Sequence, residues 1–157
     1  MVKKIVLWGL VIACMVTIFS FSHQSAAVSH DLSNTLLCRI LNAIGYFEKM
    51  PRTAMLETVE MLHFAIRKAA HFSIYALLGV LVYLLMRTGH DIKNRLCMTF
   101  APLVCALYAV TDELHQLFIP GRSGEVRDVA IDTLGALAGV VLAAAFYTLW
   151  RRMVKND

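Results

Sequence analysis

The stretch from Asp112 to Gly135 reads DELHQLFIPGRSGEVRDVAIDTLG and joins two strongly apolar runs. It is dense in ionisable and hydrogen-bonding side chains: Asp112, Glu113, His115, Gln116, Arg122, Arg127, Asp128 and Asp132. The flanking runs are long enough to cross a bilayer, which places this polar segment at or near membrane depth. Ionisable groups at that depth are costly, so we expect them to pair with one another, to face a cavity or to carry function.

The composition of the whole chain agrees with a membrane protein. Of its 157 residues, 59% are hydrophobic, well above the roughly 45–50% apolar share of soluble domains. The formal net charge is +4, but the basic residues sit in small groups at the ends of apolar runs, so nucleic-acid binding is not expected. The four cysteines show neither a CxxC pair nor a metal-ligand spacing, and we interpret them as small buried hydrophobic residues.

Four apolar runs predict an all-α, polytopic integral membrane protein with a single domain over residues 1–157. The predicted spans cover about residues 5–21, 69–86, 96–119 and 129–150. A cleavable signal peptide is the alternative for the first run, but its length favours a retained span. In the last run Gly135 and Gly139 stand four residues apart, a spacing that permits close helix contact.

Residues 22–66, between the first two spans, are polar and amphipathic. Apolar residues recur at helical spacing over residues 32–43, and Gly45 is predicted to end that helix. A second helix over about Thr53–Ile66 carries its charged and apolar residues on opposite sides. Neither helix is apolar enough to span, so we predict one or two amphipathic helices that lie on the membrane or cap the bundle.

Four spans place both termini on the same side of the membrane. The pairs Lys3-Lys4 and Arg151-Arg152 lie directly beside the first and last runs, where Trp8 and Trp150 provide interfacial anchors. Clusters of this kind favour the cytoplasmic side. We therefore predict that both termini are cytoplasmic and that residues 112–135 face outward.

Three helix faces carry polar residues at the same predicted outer level. Residues three or four apart share one face of a helix. The three faces are Arg67, His71 and Tyr75; Asp112, His115 and Gln116; and Asp128, Asp132 and Gly135. Residues 120–124 form a turn between the last two, in which glycines can adopt positive φ. We expect the faces to form one partly buried pocket, with Lys68, Arg122 and Arg127 as further cations and Glu113 as a further anion.

Several kinds of site fit this set of residues. In the simplest alternative, the arginines and aspartates only satisfy one another and fix the helix register. A metal site has four potential ligands: His71, His115, Asp112 and Glu113. No HExxH-type spacing supports it, and the nearby arginines would oppose a cation. An anion site suits the arginines and the glycine turn, and fits a lipid phosphate or an undecaprenyl-type pyrophosphate. Nucleophilic catalysis has the weakest support, because no serine lies in a GxSxG context.

The polar motifs resemble those of the VanZ family. They read Arg67-Lys68-x-x-His71-Phe72-x-x-Tyr75, Asp112-Glu113-x-His115-Gln116-x-Phe118-x-Pro120-Gly121-Arg122 and Asp128-Val129-x-x-Asp132-Thr133-x-Gly135. Ser22-His23-Gln24 is similar to a further motif of that family. The resemblance covers nearly the whole chain. It implies a small polytopic protein of the bacterial cytoplasmic membrane and cell envelope, whose namesake confers resistance to the glycopeptide teicoplanin without an established reaction.

Two positions depart from the family pattern. Ile74 stands where many members have Glu, and Asp132 stands where many have Asn. Because an Asn cannot act as a general base, Asp132 is expected to form hydrogen bonds rather than to transfer protons.

Two functions are expected. In the first, the protein binds a membrane lipid, a lipid-linked envelope precursor or a lipoglycopeptide in an outward-facing polar pocket, with no cofactor and no metal, and alters teicoplanin susceptibility. The predicted binding residues are Arg67, Lys68, His71, Tyr75, Asp112, Glu113, Gln116, Arg122, Asp128 and Asp132. In the second, the protein is a membrane enzyme that modifies a lipid-linked envelope precursor, with Glu113 or His71 as the proton-transfer group.

Overall fold

A computed structural model describes residues 1–23, 39, 43, 45 and 51–156 of the chain. Four helices make up this part: α1 (Val2–Ser22), α2 (Arg52–Leu84), α3 (Asn94–Gln116) and α4 (Val126–Asn156). No strand occurs among the described residues, so the all-α prediction is confirmed. The helix predicted over residues 32–43 lies mostly outside the described residues.

Each of these four helices is long and apolar enough to cross a membrane. At 1.5 Å per residue, the 21 residues of α1 extend over about 31 Å, close to the thickness of the hydrocarbon core. Large apolar side chains such as Leu107, Leu142 and Phe146 are exposed on the outer faces of α3 and α4. Such surfaces are expected where lipid covers the protein, and the four-span prediction is confirmed.

Helix α2 is much longer than the predicted second span. Residues 53–66, predicted as a separate amphipathic helix, form its first turns and continue into the span without a break. The reason lies in the sequence: no glycine or proline occurs between Pro51 and Gly79, so nothing ends the helix near Ile66. At Arg67-Lys68 the character of the surface of α2 changes, but the helical backbone continues without a break.

Short connections join α2 to α3 and α3 to α4 at the two ends of the bundle. After α2, the chain widens into one π-helical turn, Leu85–Gly89, and the His90 N–H donates to the Leu85 carbonyl at 3.1 Å. Helix α3 ends at Gln116, three residues before the predicted end of the third span. Gly121 in the following turn has φ of 77°, a conformation that glycine adopts without strain.

Helices α2 and α4 touch backbone to backbone. A Cβ atom placed on Gly139 would lie 1.9 Å from the carbonyl oxygen of Ala76, and one on Gly135 would lie 2.3 Å from that of Phe72. Gly79 makes an equally close approach from the α2 side. The predicted close contact through Gly135 and Gly139 is therefore confirmed, and we call this contact the α2–α4 seam.

Helix α1 packs on the other helices through one stripe of residues. Its buried members recur every three or four positions: Leu7, Val11, Cys14, Ile18 and Ser22. The Tyr108 hydroxyl of α3 donates to the Met15 carbonyl at 2.7 Å, which fixes the middle of α1 against the bundle. The last residue of the stripe, Ser22, is polar and reaches the level of the predicted site.

Small and aromatic side chains fill the centre of the bundle. Tyr75, Tyr83, Ala101 and Ala109 are completely buried. The three described cysteines, Cys14, Cys97 and Cys105, are also buried and form no disulfide, in agreement with their interpretation as small hydrophobic residues.

Candidate functional site

The polar motifs meet at one end of the bundle, where α1 and α3 end and α4 begins. Four carboxylates from these motifs are buried there: Asp112, Glu113, Asp128 and Asp132. We call them the acidic cluster. They come from the last turns of α3 and the first turns of α4, so the shared level predicted for these faces is found.

Asp112 and Glu113 of the acidic cluster are held by hydrogen bonds. The Ser22 hydroxyl donates to Asp112 Oδ2 at 2.8 Å, which ties the end of α1 to α3. Gln116 Nε2 donates to Asp112 Oδ2 at 3.3 Å and to Glu113 Oε1 at 3.1 Å. The backbone N–H of Glu125 donates to Glu113 Oε2 at 2.9 Å, so both oxygens of Glu113 are engaged. Glu113 thus fastens the loop before α4 to α3.

Lys68 neutralises one member of the cluster. Its ammonium group is buried and forms an ion pair with Asp128 Oδ1, and it lies 3.8 Å from Glu125 Oε2. The ammonium also sits 5.1 Å from the ring centre of Phe64. Lys68 therefore belongs to the interior of the bundle and links α2 to the start of α4.

His71 lies in front of the remaining carboxylate. Its Nδ1 is 3.4 Å from Asp132 Oδ1, and Asp132 is completely buried. The geometry of the two groups does not make this a hydrogen bond. The His71 side chain is 21% exposed, although Nδ1 itself is inaccessible, so the accessible part of the ring is the edge away from Asp132.

A cavity of about 350 Å³ lies between α1, α2 and the turn after α3. We call it the lateral cavity. Its described lining residues are Ile18, Phe21, Ser22, His63, Ile66, Arg67, Ala70, His71, Ile74 and Arg122. Half of these are apolar, and the charged ones are arginines. No acidic residue is among them.

Two arginines supply the charge in the described walls of the lateral cavity. Burial and the neighbouring Arg67 lower the pKa of the Arg122 guanidinium, because the two like charges repel. One N–H group of Arg122 donates to the Phe21 carbonyl at 3.1 Å, at the end of α1. Among the described residues, neither arginine forms an ion pair. Two guanidinium groups that face one space, with no carboxylate in its described walls, form a suitable site for an anion.

The structure distributes the predicted binding residues over two places. Arg67, His71 and Arg122 line the lateral cavity. The other predicted residues lie behind it, in or beside the acidic cluster: Lys68, Tyr75, Asp112, Glu113, Gln116, Asp128 and Asp132. Arg127, predicted as a further cation, is exposed at the start of α4.

His115 contacts a different set of residues from the one predicted. Its Nε2 lies 3.3 Å from His23 Nδ1, and its ring stacks on Phe19 with 4.5 Å between ring centres. Within the described part of the chain, no three His, Cys, Asp or Glu side chains are placed to hold a metal ion. The pair of histidines instead joins the end of α1 to α3.

Sequence reasoning missed the contribution of α1 to the site. Ser22 bonds to Asp112, and Ile18 and Phe21 form one wall of the lateral cavity. One signal was present: Ser22 continues the buried stripe of α1 at the same spacing, and a polar residue in such a stripe requires a polar partner. The apolar wall carried no comparable signal, because a lipid-facing residue and a cavity-lining residue look alike in sequence.

A match to a known protein family extends over nearly all of the chain. The family model described as VanZ/LLP1 matches residues 7–148. The chain belongs to the VanZ/LLP1 family. The matched range includes the buried stripe of α1 and all three polar motifs, and the resemblance inferred from those motifs is confirmed. The chain matches no curated protein and no solved structure.

Proposed function

We propose that this VanZ/LLP1 membrane protein binds an anionic membrane lipid or lipid-linked envelope precursor in the lateral cavity. We further propose that this binding changes susceptibility to glycopeptides such as teicoplanin. One observation carries the proposal: Arg67 and Arg122 face the same cavity, form no ion pair in the described part of the chain, and meet no acidic residue in its described lining. Guanidinium groups suit phosphate because their N–H groups match its oxygens in pairs.

The distribution of polar and apolar residues supports an amphiphilic ligand. Arg122 follows the end of α3, whereas Ile18 and Ile74 lie about one to two turns further into the spans. The ends of spanning helices lie near the membrane surface, where lipid phosphates are found. A headgroup at the arginines would therefore place its apolar chain against the isoleucines.

The orientation of the lateral cavity is part of the proposal. Lys3-Lys4 and Arg151-Arg152 lie at the opposite end of the bundle, so cytoplasmic termini would turn the cavity outward. A Ser123→Cys variant, with the native cysteines replaced by alanine, should react with a membrane-impermeant maleimide in intact cells. Reaction only after lysis would place the cavity on the cytoplasmic side and contradict this part of the proposal.

Drug susceptibility tests the consequence of binding. In a glycopeptide-susceptible bacterium, expression of the chain should change the teicoplanin concentration that stops growth. Arg122→Lys retains the charge but loses the planar fork, so it should abolish the change without lowering the amount of protein in the membrane. Arg95→Gln, an exposed arginine at the other end of the bundle, is the matched control. An active Arg122→Lys variant would argue against the arginine site.

An enzymatic function is the second candidate, and the His71–Asp132 pair favours it. A histidine that lines a cavity with a buried carboxylate behind it is an arrangement typical of general acid–base groups. Glu113 is less suited to proton transfer, because both its oxygens accept hydrogen bonds. Mass spectrometry of envelope lipids and wall precursors, with and without the protein, separates the two functions. A new covalent species that disappears in His71→Gln would support an enzyme, and an unchanged lipid profile would support binding alone.

A further inference from the structure

We infer that the lateral cavity selects a lipid whose headgroup ends in a phosphate or pyrophosphate, over phosphodiester and zwitterionic headgroups. This inference rests on the proposed function and names the ligand class of the same site. It follows from three features of the cavity: the absence of acidic groups from its described walls, the number of hydrogen-bonding groups near the arginines, and its size.

A zwitterionic headgroup carries an ammonium that requires an anionic partner. None of the described residues lining the cavity can provide one. The buried carboxylates lie behind these walls: Asp128 is paired with Lys68, Asp112 accepts a hydrogen bond from Ser22, and Asp132 lies behind His71. An ammonium beside Arg67 and Arg122 would lie next to two like charges, with no carboxylate in the described walls to pair with it. The cavity is therefore expected to reject phosphoethanolamine-type headgroups.

A terminal phosphate offers the polar groups at the cavity more than a phosphodiester does. A phosphodiester has two free oxygens, and the two guanidinium forks of Arg67 and Arg122 can serve both. His71 is a further polar group facing the same space. A third free oxygen exists only on a terminal phosphate, and on a pyrophosphate there are still more. His71 is thus the residue expected to distinguish a terminal phosphate from a diester.

The setting of His71 explains how it could recognise that oxygen. Nδ1 is inaccessible and faces Asp132, whereas Nε2 lies on the accessible edge of the ring. If the imidazole carries both protons, Nε2 donates to a fully ionised phosphate. If the phosphate retains its proton, its hydroxyl donates to Nε2. The first state favours the second negative charge, and the second state uses a hydroxyl; a diester has neither, and Asp132 acts as a positioning residue.

The size of the cavity sets how much of the lipid is enclosed. A volume of about 350 Å³ is near the lower end of the roughly 300–1,000 Å³ of small-molecule sites. The cavity can hold a headgroup and the first part of a chain, and the remainder must leave past α1 and α2. Phe21 and Ile66 border the cavity and are at least half exposed, so they offer an apolar exit towards the bilayer.

Native mass spectrometry of the purified protein in detergent can measure this selection. Dioleoyl phosphatidic acid, phosphatidylglycerol and phosphatidylethanolamine have identical chains and differ only in the headgroup. In an equimolar mixture, we expect phosphatidic acid to bind about tenfold more tightly than phosphatidylglycerol, since one extra charge-assisted hydrogen bond has that effect on affinity. Phosphatidylethanolamine should bind most weakly.

Variants assign the selection to named residues. His71→Gln should lose the preference for phosphatidic acid while retaining phosphatidylglycerol, and His71→Asn provides a second test if the first variant unfolds. Arg67→Gln should weaken both anionic lipids about tenfold or more. Arg95→Gln should change neither. Thermal unfolding of each variant shows whether it is folded.

The outcomes separate this inference from the proposed function. If the wild-type protein binds no anionic lipid more tightly than Arg67→Gln does, the proposed function itself fails. If phosphatidic acid and phosphatidylglycerol bind equally, or if phosphatidylethanolamine binds best, lipid binding stands but the terminal-phosphate class is wrong. If folded His71→Gln retains the full preference for phosphatidic acid, His71 does not read the headgroup, and the inference is overturned.

Discussion

The two sides of α2 differ in how closely they approach their neighbours. Towards α4, Gly79, Gly135 and Gly139 bring the backbones into direct contact along the α2–α4 seam. Towards α1, the same helix leaves a cavity of about 350 Å³ bordered by Arg67 and His71. One side has no room for a methyl group, whereas the other has room for a ligand. We conclude that the seam supports the fold and that the α1 side is free to serve binding.

Breaking the seam should have the largest effect on stability. Gly139→Ala places a Cβ 1.9 Å from the backbone oxygen of Ala76, which no side-chain rotation can relieve. We expect the free energy of unfolding to fall by more than about 3 kcal/mol, above the usual range for overpacked cores. Thermal unfolding in detergent and the amount of folded protein measure this loss.

Gly9→Ala is the matched control for the seam, because nothing lies within 4 Å of the added methyl group. It should leave stability unchanged or raise it slightly, since alanine is the better helix former. Equal unfolding temperatures for the two variants would show that the backbones of α2 and α4 are not in contact.

Breaking the buried ion pair should have an effect of similar size. Lys68→Met leaves the Asp128 carboxylate without its cation, and breaking a buried pair in this way typically lowers stability by about 3–5 kcal/mol. Replacing both partners with apolar residues should recover much of the loss. As a control, Asp91→Asn breaks the pair with Arg87, in which the aspartate side chain is 96% exposed, and should change stability by less than about 1 kcal/mol. Similar losses in both variants would mean that Lys68 is solvated.

Some of these features could be predicted from the sequence, and others could not. Hydrophobic runs predicted the four spans, and the spacing of Gly135 and Gly139 predicted a close helix contact, because both depend on local pattern. The level of the polar faces was predictable for the same reason. It could not be predicted that Arg67 faces the lateral cavity while the adjacent Lys68 faces the interior. Adjacent residues of a helix point about 100° apart, but only the arrangement of the neighbouring helices decides which direction is the interior.

The lateral cavity is still harder to predict from a sequence pattern. Its apolar wall, with Ile18 and Ile74, looks like any lipid-facing surface in sequence. Its charge also depends on where the carboxylates point. Asp112 shares a motif with Arg122 and Asp128 begins the next motif, yet they are turned towards Ser22 and Lys68. Composition shows the charges of a site, and only tertiary packing shows which of them a ligand meets.

The contact between α1 and the acidic cluster should give a smaller effect than the ion pair. Ser22→Ala removes the hydrogen bond to Asp112 Oδ2 and leaves a buried oxygen with one partner fewer, a loss of about 1–3 kcal/mol. Ser20→Ala is the control on the same helix, because its hydroxyl bonds only to the Val16 carbonyl of its own helix. Chemical denaturation in mixed micelles can compare them. A Ser22→Ala variant as stable as Ser20→Ala would indicate that α1 is not joined to α3 at this point.

The smallest effect on stability is expected at Arg67, although loss of the adjacent Lys68 should be among the most damaging changes. Arg67 is exposed in the lateral cavity, forms no ion pair with a described residue, and is the like charge that contributes to the lowered pKa of Arg122. Arg67→Gln removes a repulsion rather than a partner, so the free energy of unfolding should change by no more than about 0.5 kcal/mol, towards greater stability. Lipid binding should nevertheless fall, because half of the guanidinium pair is missing. Unfolding and binding measured on Arg67→Gln and Lys68→Met side by side would test the division directly. If Arg67→Gln destabilises the protein as Lys68→Met does, Arg67 is a structural cation, and the lateral cavity is not a ligand-binding site.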